Sequence, residues 1–400
     1  MDVEIISKEC IKPSSPTPLH LRTYKLCLLD QFYDHFYVPR ILYYNPPNLS
    51  PPIDTELIVS KRLQILKQSL SKSLTRFYPI AGEIKDNFSI DCSDKGVYFV
   101  YARVKSPLNK FLNHLDLIPL THRLYPVEGH EQGEEIKGAY VGKIQLVRVL
   151  VMKRYVLIMM LPSYFLRLTE YPRDATWMAV CEPFCKNGRF VTRRFVFDAK
   201  AIANLKAKAS SLCVQNPSRV EVVTALLSKC IVAAFKTKSG FYKPTLLTHA
   251  INLRQKGKLS FLEDYLGNIV WRANALCRSG KDVELGGLVC RLREAITKLN
   301  VDFVKSLQGD KGFLNICKAI QDENEVCLSA ADRITFSSWC NFGFYSIDFG
   351  WGKPIWLSSV GSDESVTNSL EFIYLIDTRS GDGIEAWVRL LEEDMALITT

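Results

Sequence analysis

From Leu63 the apolar residues recur at Leu66, Leu70, Leu74 and Phe77, and this spacing of three, four, four and three predicts one face of a helix lying on a sheet. Pro79 and Gly82 end it. Upstream, residues 3 to 30 mix short apolar runs with the proline-rich Lys12–Pro18, which predicts a strand, a surface turn and a segment turning into the core. Ile90–Cys92 and Val97–Val104 predict the arms of a hairpin across Ser93–Gly96. In the second half Ser218 and Glu221 stand at capping-box spacing before the mostly apolar Val222–Phe235, which predicts a buried helix. Leu375–Asp377 and Ile384–Val388 flank a glycine-rich turn and predict a strand, a turn and a strand.

The most constrained stretch is Asp348 to Pro354, where two glycines, two aromatics, an acid and a proline fall within seven residues. Gly350 and Gly352 allow φ > 0 or close approach of another segment, while Phe349 and Trp351 anchor a turn by burial. An acid inside such an apolar turn calls for a cation, so physics alone predicts a rigid buried corner with an ion pair rather than a ligand-contacting loop.

Composition changes abruptly in one place. Lys143 to Arg167 carries five basic residues and no acid, no glycine occurs between Gly142 and Gly188, and four of the six methionines lie between Met152 and Met178. Tyr155–Leu161 has the apolar content to pair in a sheet, and Lys153, Arg154 and Pro162 interrupt any membrane span.

Four hundred residues predict two domains, and 47% hydrophobic with 23% charged residues is a globular balance. A net charge of +9 with no block of five like charges argues against nucleic acid as a partner. The twelve cysteines form no CxxC pair and have no histidine at zinc spacing, so they read as reduced, mostly buried thiols and no metal site is expected. An acidic start without a long apolar core predicts a cytoplasmic chain with no membrane partner.

Asp348, Phe349, Gly350, Trp351 and Gly352 resemble the DFGWG signature of the plant BAHD acyltransferases, which move an acyl group from a coenzyme A thioester to an alcohol or amine. Phe77–Ile84, Phe190–Asp198, the Ser218–Glu221 helix start, Asn252–Arg254, Tyr265–Asn268 and Thr335–Trp339 resemble further family segments. The resemblance is nearest to the vinorine synthase-like branch, which acetylates alkaloid alcohols. It implies an α/β fold of two similar domains, each a mixed β-sheet flanked by helices (chloramphenicol acetyltransferase-like), with a substrate channel between them. On that basis the N-terminal domain spans 1–180, a crossover segment 181–200, and a C-terminal domain containing the signature 201–400. The chain is expected to be a monomer with no permanently bound cofactor, taking acetyl-CoA as co-substrate and a small-molecule alcohol as acceptor.

The same resemblance implies site residues. Arg254 is expected to pair with Asp348 inside the second half, as a structural contact. Ser337 stands where the family has a threonine and, with Trp339, is expected on the oxyanion side of the reaction centre; taken alone, Trp339 reads as a core residue. The family's general base, the His of a His-x-x-x-Asp motif, has no counterpart: of the six histidines only His130 has an acid, Glu134, four positions on, and it is a weak substitute. Loss or replacement of residues across about Leu146 to Pro162 accounts for this; a diverged strand is the alternative. The implied function is therefore an impaired acyl-CoA-dependent O-acyltransferase, or else a non-catalytic binding protein or truncated gene product.

Overall fold

The computed structural model describes residues 3–27, 29–30, 37–44, 55–86, 88–105, 139–149, 154–162, 184–210, 214–257, 266–278, 280–309, 311–328, 330–359 and 368–399. Two compact units emerge: Met1–Arg173 with Leu266–Asn268 and Gly343–Val360, and the remainder, Asp174–Tyr265, Ile269–Phe342 and Gly361–Thr400.

The first unit is built on a six-stranded mixed sheet in the order Val3–Ile11, Val97–Val104, Lys143–Val149, Arg154–Pro162, Tyr37–Tyr44 and Trp356–Ser359. Val97–Val104 pairs antiparallel with Val3–Ile11 and parallel with Lys143–Val149. That overturns the expected hairpin, because Ser89–Asp91 joins a separate small sheet with Glu83–Asp86 and Thr23–Lys25. Seven of the eight residues of Val97–Val104 are buried, as a strand covered on both faces must be. The described residues of the compositional break are strands: Arg154–Pro162 lies between Lys143–Val149 and Tyr37–Tyr44. Lys143, Gln145 and Arg148 are buried there, and Arg148 is neutralised by Glu56 at 2.6 Å. The helix predicted from Leu63 begins two turns earlier, spanning Thr55–Arg76. Leu66 and Leu74 are buried as the spacing requires, whereas Phe77 falls past the helix end and is exposed.

The second unit has its own six-stranded mixed sheet, ordered Phe190–Phe197, Ile384–Leu391, Phe372–Asp377, Asp332–Ser338, Thr245–Asn252 and Val270–Cys277. Asp332–Ser338 runs parallel to both of its neighbours. One face carries helix Arg219–Ser239, which packs against Ala199–Ala209 and Leu285–Lys298. Its capping box forms as predicted: Ser218 Oγ accepts the Glu221 amide at 3.2 Å, and Glu221 Oε2 accepts the Ser218 amide at 2.7 Å. Glu221 is also paired with the Arg293 guanidinium. Burial alone would raise that carboxyl, but hydrogen bonds from Arg293 and Ser218 together hold it below its usual value.

Three expectations are corrected. Residues 181–200 are not a crossover segment, since Phe190–Phe197 is an edge strand of the second sheet. Nor is 201–400 one domain: Gly343–Val360 and Leu266–Asn268 belong to the first unit. The Tyr24 hydroxyl donates to the Leu266 carbonyl at 2.6 Å, and buried Asp30 accepts the Asn268 amide at 2.5 Å. Finally, Cys290 is disulfide-bonded, with its partner outside the described residues, so the thiols are not all reduced.

Candidate functional site

The Asp348–Pro354 turn is a self-contained device. Gly350 and Gly352 have φ of 87° and 101°, a left-handed backbone that side chains with a Cβ disfavour. A Cβ on either would meet nothing within 4 Å, so conformation and not space requires the glycines. Asp348 Oδ1 accepts the amides of Gly350 at 2.8 Å and Gly352 at 3.0 Å. Trp351 is buried and meets Tyr44 edge-on at 6.4 Å and Phe349 at 5.6 Å, with the Arg62 guanidinium 5.8 Å from its ring. The strand Trp356–Ser359 then pairs with Tyr37–Tyr44, and the Tyr43 and Trp356 rings stack at 5.0 Å. The turn thus folds against the first unit. This corrects two expectations: Asp348 is exposed and bonded within its own turn, not a buried half of an ion pair, and Arg254 belongs to the other unit. Arg254 opens the short helix Arg254–Gly257, where its amide donates to Asn252 Oδ1 at 3.1 Å.

Ser337 and Trp339 come from the end of the parallel strand Asp332–Ser338, and the structure brings them together. The Trp339 indole N–H donates to Ser337 Oγ at 3.1 Å. Trp339 is 6% exposed, its amide donates to the Leu375 carbonyl at 2.7 Å, and its ring lies 4.6 Å from that of Tyr374. Phe372 continues this row at 4.6 Å from Tyr374. Ser337 pairs with Tyr374 on one side and with Ala250 on the other. Because Phe336 and His249 form the adjacent pair in register, their side chains point to the opposite face of the sheet.

His249 is therefore no base for this site. It is 4% exposed, stacks on Phe336 with centroids 6.0 Å apart, and burial lowers its pKa, so it is neutral at pH 7. His130, like His35, His114 and His122, lies outside the described residues.

A profile of the transferase family matches residues 1–136 and 179–400, which is most of the chain. The chain belongs to the BAHD acyltransferase family. Two similar curated relatives span it almost end to end. Epi-neemfruitin B 7-O-acetyltransferase of Melia azedarach is 51% identical over 435 residues, covering 100% of this chain and 96% of the relative. Limonoid 7-O-acetyltransferase of Citrus sinensis is 52% identical, covering 99% and 95%. Among solved structures, vinorine synthase superposes with a TM-score of 0.76 at 30% identity, covering 99% of this chain and 96% of that one. The BAHD profile lapses over 137–178, around the compositional break. The Melia alignment of 435 residues exceeds the 400 of this chain, so at least 35 positions of that relative have no counterpart here. The family's threonine position points to Ser337, and its bond to Trp339 joins residues two apart at a strand end, a relationship local in the sequence.

Proposed function

We propose that this BAHD protein transfers an acetyl group from acetyl-CoA to a hydroxyl of a limonoid, and that it does so slowly for want of a general base. The relative at 52% identity is named for limonoid 7-O-acetylation and the one at 51% for 7-O-acetylation of epi-neemfruitin B, which favours a limonoid over the alkaloid acceptor expected from sequence. In the reaction the acceptor oxygen attacks the thioester carbonyl, its proton must leave, the C–S bond breaks, and the CoA sulfur takes up a proton. The Ser337 hydroxyl supplies a donor for the developing oxyanion. The lapse of the family match over 137–178, with no His-x-x-x-Asp in the sequence, is the observation that carries the impairment. A positioned base contributes about 10² to 10⁴ in rate, so its loss adds roughly 2.7 to 5.4 kcal/mol to the barrier.

The experiment compares the purified chain with a variant whose residues 137–178 are replaced by the corresponding segment of the Citrus enzyme. Free thiol release from acetyl-CoA is followed with limonoid and alkaloid alcohols. The replacement should be at least about 10²-fold faster, with limonoids preferred. Rates within about threefold of each other, far inside that expected loss, would show that another group serves as base, and His130 and His122 would be the first to mutate. The missing His-x-x-x-Asp also fits a second reading, a protein that binds acetyl-CoA without turnover. Tight calorimetric binding with no product would establish it.

A further inference from the structure

Arg219 has no part in the capping box that surrounds it. As the first residue of helix Arg219–Ser239 it puts a cation where the helix dipole is positive, an arrangement that disfavours the helix. What it gains is a set of contacts outside the helix. One guanidinium nitrogen donates to the Gly381 carbonyl at 2.5 Å and the Gly383 carbonyl at 3.4 Å. The other donates to Asp377 Oδ1 at 3.1 Å and Asn341 Oδ1 at 3.2 Å. The second oxygen of Asp377 accepts the Asn341 amide at 2.6 Å. Asn341 is held at φ 65°, one of two non-glycine residues with positive φ among the described residues. Arg219 and Asp377 thus grip, from both ends of its side chain and backbone, the residue two places after Trp339.

We propose that Arg219, acting through Asp377 and Asn341, is a positioning residue that sets the orientation of Trp339 and hence of the Ser337 hydroxyl. This rests on Ser337 being the oxyanion donor. The strand Asp332–Ser338 has ended by Trp339, so the sheet ladder no longer holds the chain beyond the one bond from Trp339 to Leu375. The Asn341 contacts supply the next fixed point. Without it the left-handed turn, a conformation costly for a residue with a Cβ, is free to relax, and the backbone that carries the indole bonded to Ser337 loses that fixed point.

The test labels the protein with 5-fluorotryptophan and assigns the Trp339 resonance by its absence in Trp339→Phe. Arg219→Gln and Asp377→Asn are each expected to shift and broaden that resonance in protein whose far-ultraviolet dichroism is unchanged. Combining them should add little to the larger single effect, because both break one network. Arg219→Lys should restore part of the wild-type position. Turnover, read as thiol release, should fall about 10-fold or more in kcat, since small misplacements of reacting groups cost up to about 10², while KM for acetyl-CoA stays within about twofold. If Arg219→Gln fails to fold, Asn341→Gly replaces it: glycine keeps the left-handed backbone and deletes only the side-chain contact, and a smaller shift is expected. An unmoved Trp339 resonance in folded Arg219→Gln or Asn341→Gly overturns the proposal. The fluorine measurement needs no substrate. If Ser337→Ala proves as active as the parent, the oxyanion assignment fails while the resonance still decides whether Arg219 orients Trp339.

Discussion

Ser337 Oγ accepts the indole N–H of Trp339 at 3.1 Å. With the oxygen engaged as acceptor, the hydroxyl proton turns away from the indole and is available as a donor. A donor aimed at an oxyanion is worth about 10² to 10³ in rate. Ser337→Ala should therefore lower kcat by about that factor with little change in KM, and Ser337→Thr, which keeps the hydroxyl, should retain most of the rate. Thiol release from acetyl-CoA is the readout, and equal rates for the alanine variant and the parent would remove Ser337 from the chemistry.

The Asp348 turn separates charge from geometry. Asp348→Ala deletes the acceptor of two amides and should cost about 0.5 to 2 kcal/mol, the range for losing a comparable helix cap. Asp348→Asn keeps an oxygen in the same place and should cost distinctly less. Gly350→Ala meets no neighbour, yet should lose about 1 to 2 kcal/mol through its left-handed backbone. Urea unfolding measures all three. Equal losses for asparagine and alanine would mean that the charge, which both lack, matters more than the oxygen that accepts the two amides.

Glu371 makes stability depend on pH. Burial pushes its carboxyl up to about 8, against a lowering effect of Lys186 at 3.0 Å and a further raising effect of Asp394. The folded form thus holds a proton that the unfolded form releases near 4.5, so this stabilising contribution is complete below that pH and is lost as pH rises through about 8. Melting temperature should fall from pH 6 to pH 9, and Glu371→Gln, which cannot ionise, should flatten the decline. Parallel slopes for the two proteins would assign the titration to another group.

Cys290 should resist alkylation in unfolded, unreduced protein and become reactive after reduction. Loss of the bond should cost about 2 to 4 kcal/mol. Mass spectrometry of the Cys290 peptide checks the first expectation, and denaturant midpoints with and without reductant check the second. Alkylation before reduction would show the thiol to be free.

Features whose partners lie close along the chain were legible without coordinates. The Ser218–Glu221 capping box closes over three residues, and Phe372–Asp377 meets Ile384–Leu391 across one turn. Leu66 and Leu74 repeat at helical spacing and are buried, and the left-handed turn follows from Gly350 and Gly352. In each case a residue's own conformational preference, or a bond to a near neighbour, decides the outcome.

Long-range placement was decided by tertiary structure. Val97–Val104 could not announce that its partners are Val3–Ile11 and Lys143–Val149 and not the adjacent Ser89–Asp91. Asp348 reads as one half of a buried pair until the turn is seen to fold its exposed carboxylate onto two amides of its own loop. Arg219 looks like an ordinary helix residue until Asn341, Asp377 and Gly381 arrive from two turns and a strand end more than a hundred residues away. The alternation of a strand specifies which face is buried, and the charge of a side chain specifies what it needs. Neither specifies which distant segment meets the need, because that depends on how all the buried faces close together at once.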